Sequence, residues 1–309
     1  MLYPAHGRGA QVHTCLDQYR YLHDDEWRPQ MHRLLEATGA AVRRGKRTGI
    51  HTPEGKKLVA ATERKVVAWF RAQAKRMPVS GLSARYLQRL DKLREAATDV
   101  DEFYVMFTEW LEGEVEQFAV LMNSAIEEGL ANGFDGSLQD WIDEFKLAAP
   151  PFDAAALLPD DVLKDAAKYA GQMVKGVTED TAKQLSSTIA EALSTNRSVP
   201  ELAKMLRDRY DEIGSYKSKL IAQTEMNKAI SKGAFESNKA VGASEKEWIQ
   251  TYAAEVPREE HIANMEQGRI PIGDAFQSGE DYPGEPNCHC VVLYYGATEE
   301  AVAELLGLT

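Results

Sequence analysis

The sequence predicts a mainly α protein with a C-terminal α+β module: a helical N-terminal domain, then a helix bundle and a small antiparallel sheet. Two observations carry this prediction. Apolar residues recur at helical spacing up to about residue 241, and beyond Gly242 the pattern changes to short alternating and β-branched runs. A Pro-containing stretch at 148–156 interrupts the helical pattern, since the residue before a proline disfavours helix. We therefore expect two domains, at residues 1–158 and 159–309.

Four helices are predicted before the linker, at residues 12–38, 56–76, 83–97 and 100–129. The fourth has the strongest signal, because its aromatic and aliphatic residues form one apolar stripe. Glycines at Gly133 and Gly136 should end the helical pattern, and Ser137 should open a further short helix.

The second domain is predicted to begin with helices at residues 160–175, 178–194, 199–213 and 215–241. Ser198 and Glu201 have the spacing of a capping box, with Pro200 in the first turn. The segment 245–251 alternates around Trp248 and predicts a strand with Trp248 in the core. Residues 257–284 read as irregular, 288–295 as a second strand, and 297–305 as a closing helix.

The net charge of −12 conceals a basic segment. Residues 41–100 carry 15 Lys and Arg against 5 Asp and Glu. Such a segment favours nucleic acid or an acidic protein surface as its partner, and a solvated helix face is the alternative. The residues predicted to contact DNA or a partner protein are Arg43, Arg44, Lys46, Arg47, Lys56 and Lys57.

Composition also indicates the cellular compartment in which the protein is made. There are three cysteines, too few for a disulfide framework, which is typical of a reducing environment. No apolar run is long enough to span a membrane, and the first residues lack the pattern of a signal peptide. We expect a product that stays in the cytoplasm where it is made, with no membrane partner.

His261, Cys288 and Cys290 are the candidate metal ligands. Imidazole and thiolate are ligands that zinc prefers, and residues two apart in a strand share a face, so both sulfurs could approach one site. The alternatives are a loop fastened by packing and hydrogen bonds, and a nucleophilic Cys/His site. No cofactor is expected other than this possible zinc ion.

An ordered series of motifs runs through the second half of the chain. The series starts with Ser198-Val199-Pro200-Glu201-Leu202-Ala203 and Leu220-Ile221-Ala222-Gln223-Thr224-Glu225. It continues with Gly242, Trp248, Thr251, Arg258, His261, Gly268 and Phe276, and closes with Tyr282-Pro283-Gly284-Glu285-Pro286-Asn287-Cys288-His289-Cys290. In this order the motifs resemble the Mu F-like phage head morphogenesis family. Gln223, Ala254 and His289 depart from the family pattern, which weakens any catalytic site built from those positions.

The resemblance implies a function in the virion. It implies a minor capsid protein of a tailed bacteriophage, bound to the portal and facing the head interior, that supports head assembly and DNA packaging or delivery. The implied partners are the portal protein, the major capsid protein and packaged DNA, and the implied chain is not an enzyme. The alternatives are a DNA-binding internal head protein that acts through residues 43–76, or a metal-dependent or Cys/His enzyme. Glu225 could pair with Arg258 or with loop backbone, but a structural salt bridge or a helix surface charge is the favoured interpretation.

Overall fold

The computed structural model describes residues 50, 52–77, 86, 101–195, 197–249, 258–285, 288 and 290–308. The predicted helix at 12–38 and nearly all of that at 83–97 lie outside these residues. Within them, the mainly α fold class with a small C-terminal antiparallel sheet is confirmed. The division into domains at residues 1–158 and 159–309 stays a prediction.

Seven helices and three strands make up the described part of the chain. The helices are α1 (Pro53–Arg76), α2 (Asp101–Phe145), α3 (Ala154–Leu157), α4 (Asp160–Ser194), α5 (Val199–Ala240), α6 (Glu259–Glu266) and α7 (Glu299–Leu305). The strands are β1 (Glu245–Ile249), β2 (Arg269–Pro271) and β3 (Val291–Tyr295). Among the helices described, none combines the length and apolarity that a bilayer span requires.

Three helices are longer than the sequence predicted. The predicted breaks near residues 133–136, 176 and 214 are wrong, because α2, α4 and α5 each run through them without interruption. A glycine costs a helix only about 1 kcal/mol relative to alanine, and packing of a long helix against its neighbours offsets that cost. The predicted cap of α5 is present: the Glu201 carboxylate accepts a hydrogen bond from the Ser198 N–H at 2.8 Å.

Helices α2 and α5 cross at very close range. A Cβ placed on Gly133 would lie 1.9 Å from the Ile230 carbonyl oxygen. A Cβ placed on Gly233 would lie 2.0 Å from the Leu130 carbonyl oxygen. The two backbones can approach this closely only because neither glycine carries a side chain. The glycine predicted to break the helix at position 133 is therefore part of the contact surface between two helices.

Helix α1 packs an aromatic face onto the bundle. Thr52 caps its start by accepting a hydrogen bond from the Gly55 N–H at 2.9 Å. Trp69 stacks on Phe118 of α2 with 3.9 Å between ring centroids, and Phe70 meets Tyr210 of α5 edge-on at 5.8 Å. These contacts bury one side of α1 and leave its opposite side to solvent.

The sheet has the strand order β2-β1-β3, antiparallel throughout, and its two faces pack differently. Trp248 of β1 is buried on the same face as Ile270 and Phe276, as predicted for a core residue. Ile249 packs with Leu293 on the opposite face. Helix α6 and strand β2 lie in the segment predicted to be irregular, and their short lengths explain why no periodic signal reveals them.

Candidate functional site

The structure brings the three predicted metal-type ligands together. The Nδ1 atom of His261 lies 3.4 Å from the Cys290 sulfur and 3.7 Å from the Cys288 sulfur. All three side chains are buried, with exposed fractions of 4% for His261 and 5% for each cysteine. Cys288 and Cys290, which follow His261 by 27 and 29 positions in the sequence, therefore share one enclosed site with it.

Four elements position these side chains. His261 stands in the first turn of α6, and its ring lies 5.2 Å from the Trp248 ring of β1, between centroids. The cysteines precede β3, which begins at Val291 rather than at residue 288 as predicted. The Cys290 N–H donates to the Cys288 sulfur at 3.5 Å, and Asn227 of α5 donates to the Cys288 carbonyl oxygen at 3.3 Å. The site is thus held between the long helix and the sheet.

Two carboxylates lie on the other side of the imidazole. The Nε2 atom of His261 is 3.4 Å from a Glu285 carboxylate oxygen and 4.0 Å from one of Glu280. Glu285 also pairs with Arg258, the residue that precedes α6. Sequence reasoning missed both glutamates, because no fixed spacing connects a helix residue to positions in a following irregular loop.

Burial shapes the acid–base properties of the site. The pKa of Cys290 lies well above its ordinary value because its thiol hydrogen-bonds to Cys288 and is buried. The same hydrogen bond lowers the pKa of Cys288, while burial lowers the pKa of His261 and raises that of Glu280. The enclosed thiols resemble structural rather than catalytic cysteines, which are usually partly exposed. The chemistry that this arrangement favours is ligand or metal binding.

Glu225 does not have the predicted partner. Its carboxylate accepts a hydrogen bond from the Tyr169 hydroxyl of α4 at 3.2 Å, so the expected pair with Arg258 is wrong. Burial raises the pKa of Glu225, and its second carboxylate oxygen has no hydrogen-bond partner among the described residues. The family motif on α5 therefore places an acid between two helices.

Lys246 is a second buried ionisable group, which sequence reasoning missed. Its side chain is fully buried, and its ammonium group lies 2.9 Å from an Asp281 carboxylate oxygen. The ammonium is also 4.9 Å from the ring centroid of Phe235 and 5.0 Å from that of Phe276. The alternation of the strand could have indicated its burial, because Lys246 is two residues from the core residue Trp248 and therefore lies on the same face of the sheet.

The residues predicted to contact DNA or a partner protein lie only partly within the described chain. Arg43, Arg44, Lys46 and Arg47 lie outside the described residues, whereas Lys56 and Lys57 are exposed on α1. Further along α1, on the same side as Lys57, stand three more exposed basic residues: Arg64, Arg71 and Lys75. We call Lys57, Arg64, Arg71 and Lys75 the basic stripe. Its members form no ion pair within the described part of the chain.

Comparison with known proteins identifies part of the chain. Residues 183–293 match the model of the family described as Phage Mu protein F like protein. That segment contains all of α5, the whole sheet apart from the end of β3, and all three residues of the His261–Cys288–Cys290 site. Neither the curated proteins nor the solved structures include a significant match. The match confirms the resemblance seen in the sequence, and the chain carries, over residues 183–293, a segment of the Mu F-like phage head morphogenesis family.

Proposed function

We propose that this protein is a minor capsid protein of a tailed bacteriophage, bound to the portal and facing the head interior. In this proposal it supports head assembly and the packaging or delivery of DNA through protein interfaces rather than through catalysis. The observation that carries the proposal is the family match over residues 183–293, since this is a family of head morphogenesis proteins.

The site geometry supports a role without turnover. The thiols and the imidazole are enclosed by Trp248, Phe276 and the sheet, where a substrate would have to displace packed side chains. Long helices with extensive exposed faces, such as α2 and α4, supply surface on which other head proteins could dock.

The proposal is tested in heads assembled with and without the protein. We expect the chain to copurify with the portal protein in assembled heads, and to be lost from heads assembled without the portal. Heads assembled without the chain should package less DNA. If purified heads lacked the chain at every stage of assembly, the proposal would be overturned. In heads that contain the chain, a map of the intact particle would show whether it lies at the portal or elsewhere.

A second candidate function is DNA binding inside the head. The observation that favours it is the basic stripe, which adds exposed positive charge on α1 to the residues predicted at 43–47. Lys and Arg contacts to phosphate carry affinity without reading sequence, and they weaken as salt rises. Such phosphate contacts, without any recognition of base sequence, would be enough for a protein that lies beside packaged DNA.

Charge reversal tests the second candidate. Replacing Arg43, Arg44, Lys46 and Arg47 with glutamate should abolish a salt-sensitive shift of duplex DNA in gels. The matched control reverses Lys164 and Lys168, which are exposed on α4 beside acidic residues, and should leave the shift intact. The slope of log K against log salt should fall by about 0.9 for each phosphate that the variant no longer neutralises. Equal binding by both variants would refute DNA binding through this segment.

A further inference from the structure

We propose that His261, Cys288 and Cys290 bind one zinc ion, which fastens the chain between α6 and β3 to the sheet. This site is independent of the proposed capsid function. The donor atoms of the three side chains all lie within 4.8 Å of one another, and all three side chains are buried.

The separations between these atoms are those of a tetrahedral zinc site. Zinc–sulfur bonds of about 2.3 Å and zinc–nitrogen bonds of about 2.0–2.1 Å place neighbouring sulfur and nitrogen ligands about 3.6 Å apart at the tetrahedral angle. The observed distances from His261 Nδ1 are 3.4 Å to Cys290 and 3.7 Å to Cys288. Both nitrogen–sulfur separations therefore match the zinc geometry, and the two sulfurs lie within 4.8 Å of each other.

Hydrogen bonding is the alternative account, with one thiol bonded to Nδ1 and the two cysteines bonded to each other. A neutral imidazole nitrogen either donates one hydrogen bond or accepts through one lone pair, so Nδ1 can satisfy only one of the two thiols well. A metal ion at the centre satisfies the nitrogen and both sulfurs at once. Two thiolates would also neutralise the charge of the divalent ion in this buried position.

The opposite side of His261 is arranged as it is in many metal sites. A metal-binding histidine usually presents its second ring nitrogen to a carboxylate, which fixes the ring orientation and strengthens the ligand. Here Nε2 faces Glu285 at 3.4 Å and Glu280 at 4.0 Å, which leaves Nδ1 for the ion. Nε2 makes no hydrogen bond among the described residues, so the two carboxylates lie near its N–H without fixing the ring.

The ligand set selects the metal. Magnesium and calcium prefer oxygen ligands, whereas two thiolates and an imidazole favour zinc. Three protein ligands leave one tetrahedral position, for a water molecule. The ion would join residues 27 and 29 positions apart, next to a sheet whose strands have only three to five residues. Such a cross-link would stabilise a module with a small core of its own.

The test measures metal in the purified full-length chain. Zinc analysis should find one ion per chain in the wild type, and only a trace in Cys288→Ser and Cys290→Ser. The matched control is Cys15→Ser, which removes the remaining cysteine and should keep the full zinc content. A wild-type chain that holds no zinc after incubation with excess metal would overturn the proposal, as would full zinc content in either site variant.

Two further measurements keep the proposal testable if the cysteine variants do not fold. Cobalt added to the metal-free wild type should give the strong visible bands of tetrahedral coordination and a sulfur-to-cobalt charge-transfer band. Octahedral cobalt without the charge-transfer band would overturn the assignment. Glu285→Gln keeps all three ligands but removes the carboxylate that faces His261 and pairs with Arg258, and it should raise the zinc Kd by about 10–100-fold. An unchanged Kd would contradict the role assigned to Glu285.

Discussion

The crossing of α2 and α5 predicts that two Gly→Ala substitutions in one helix have opposite effects on stability. Gly133 faces α5, and a Cβ there would lie 1.9 Å from the Ile230 carbonyl oxygen and 2.7 Å from its carbonyl carbon. Gly113 lies in the same helix, is exposed, and has no atom within 4 Å of the position of a Cβ. The same chemical change is therefore made once inside a helix contact and once in solvent.

The magnitude follows from the geometry. Carbon and oxygen atoms rarely approach closer than about 3.3 Å, so Gly133→Ala requires the two atoms to move apart by about 1.4 Å, which α2 and α5 can supply only by separating. The obstructing atoms belong to the backbone and cannot rotate away, so we expect about 3 kcal/mol, the upper end of the usual cost of overpacking. The higher helix propensity of alanine returns about 1 kcal/mol, which leaves a net loss of about 2 kcal/mol. Gly113→Ala keeps only the favourable part, a gain of up to about 1 kcal/mol.

Thermal unfolding followed by far-ultraviolet circular dichroism measures both effects. At about 2–4 °C per kcal/mol, Gly133→Ala should lower the Tm by about 4–8 °C, and Gly113→Ala should raise it by up to about 4 °C. Urea unfolding provides an independent measure of the same free energies. A Gly133→Ala protein that unfolds at or above the wild-type temperature would refute the close crossing of the two helices.

Three further predictions concern buried polar groups. Burial raises the pKa of Glu225, so the folded protein holds this proton more tightly than the unfolded chain does. The free energy of unfolding should therefore fall as pH rises from about 4.3 through the raised pKa. Urea titrations at successive pH values should show a weaker pH dependence for Glu225→Gln. Asp281→Asn should cost about 1–2 kcal/mol at neutral pH, less than for a fully enclosed pair because Asp281 is 46% exposed, and a double-mutant cycle with Lys246→Met should show the coupling; additive effects would refute it. Tyr210→Phe leaves the buried Gln73 side chain without the hydroxyl that donates to it and should cost about 1–3 kcal/mol by chemical denaturation, whereas a change below a few tenths would contradict the predicted loss.

Local signals in the sequence predicted the features that depend on near neighbours along the chain. The Ser198 and Glu201 cap, the apolar face of α1, and Trp248 as a core residue each follow from residues within one or two turns or one strand. The order of motifs from Ser198 to Cys290 likewise identifies the family without any knowledge of how the segments pack. These features depend on the spacing of residues that are close together in the sequence, so the sequence alone predicts them.

The features that the sequence did not predict depend on which distant segment of the backbone packs against a given residue. Gly133 looks like a helix breaker until α5 is placed against it, and only the crossing turns it into a contact. Glu280 and Glu285 reach His261 because an irregular loop returns them to α6, which no periodicity encodes. Residue spacing along the chain predicted most of the helices, two of the strands and the candidate ligands. Where the helices continue and which charges pair follows from the fold, because both depend on contacts between residues far apart in the chain.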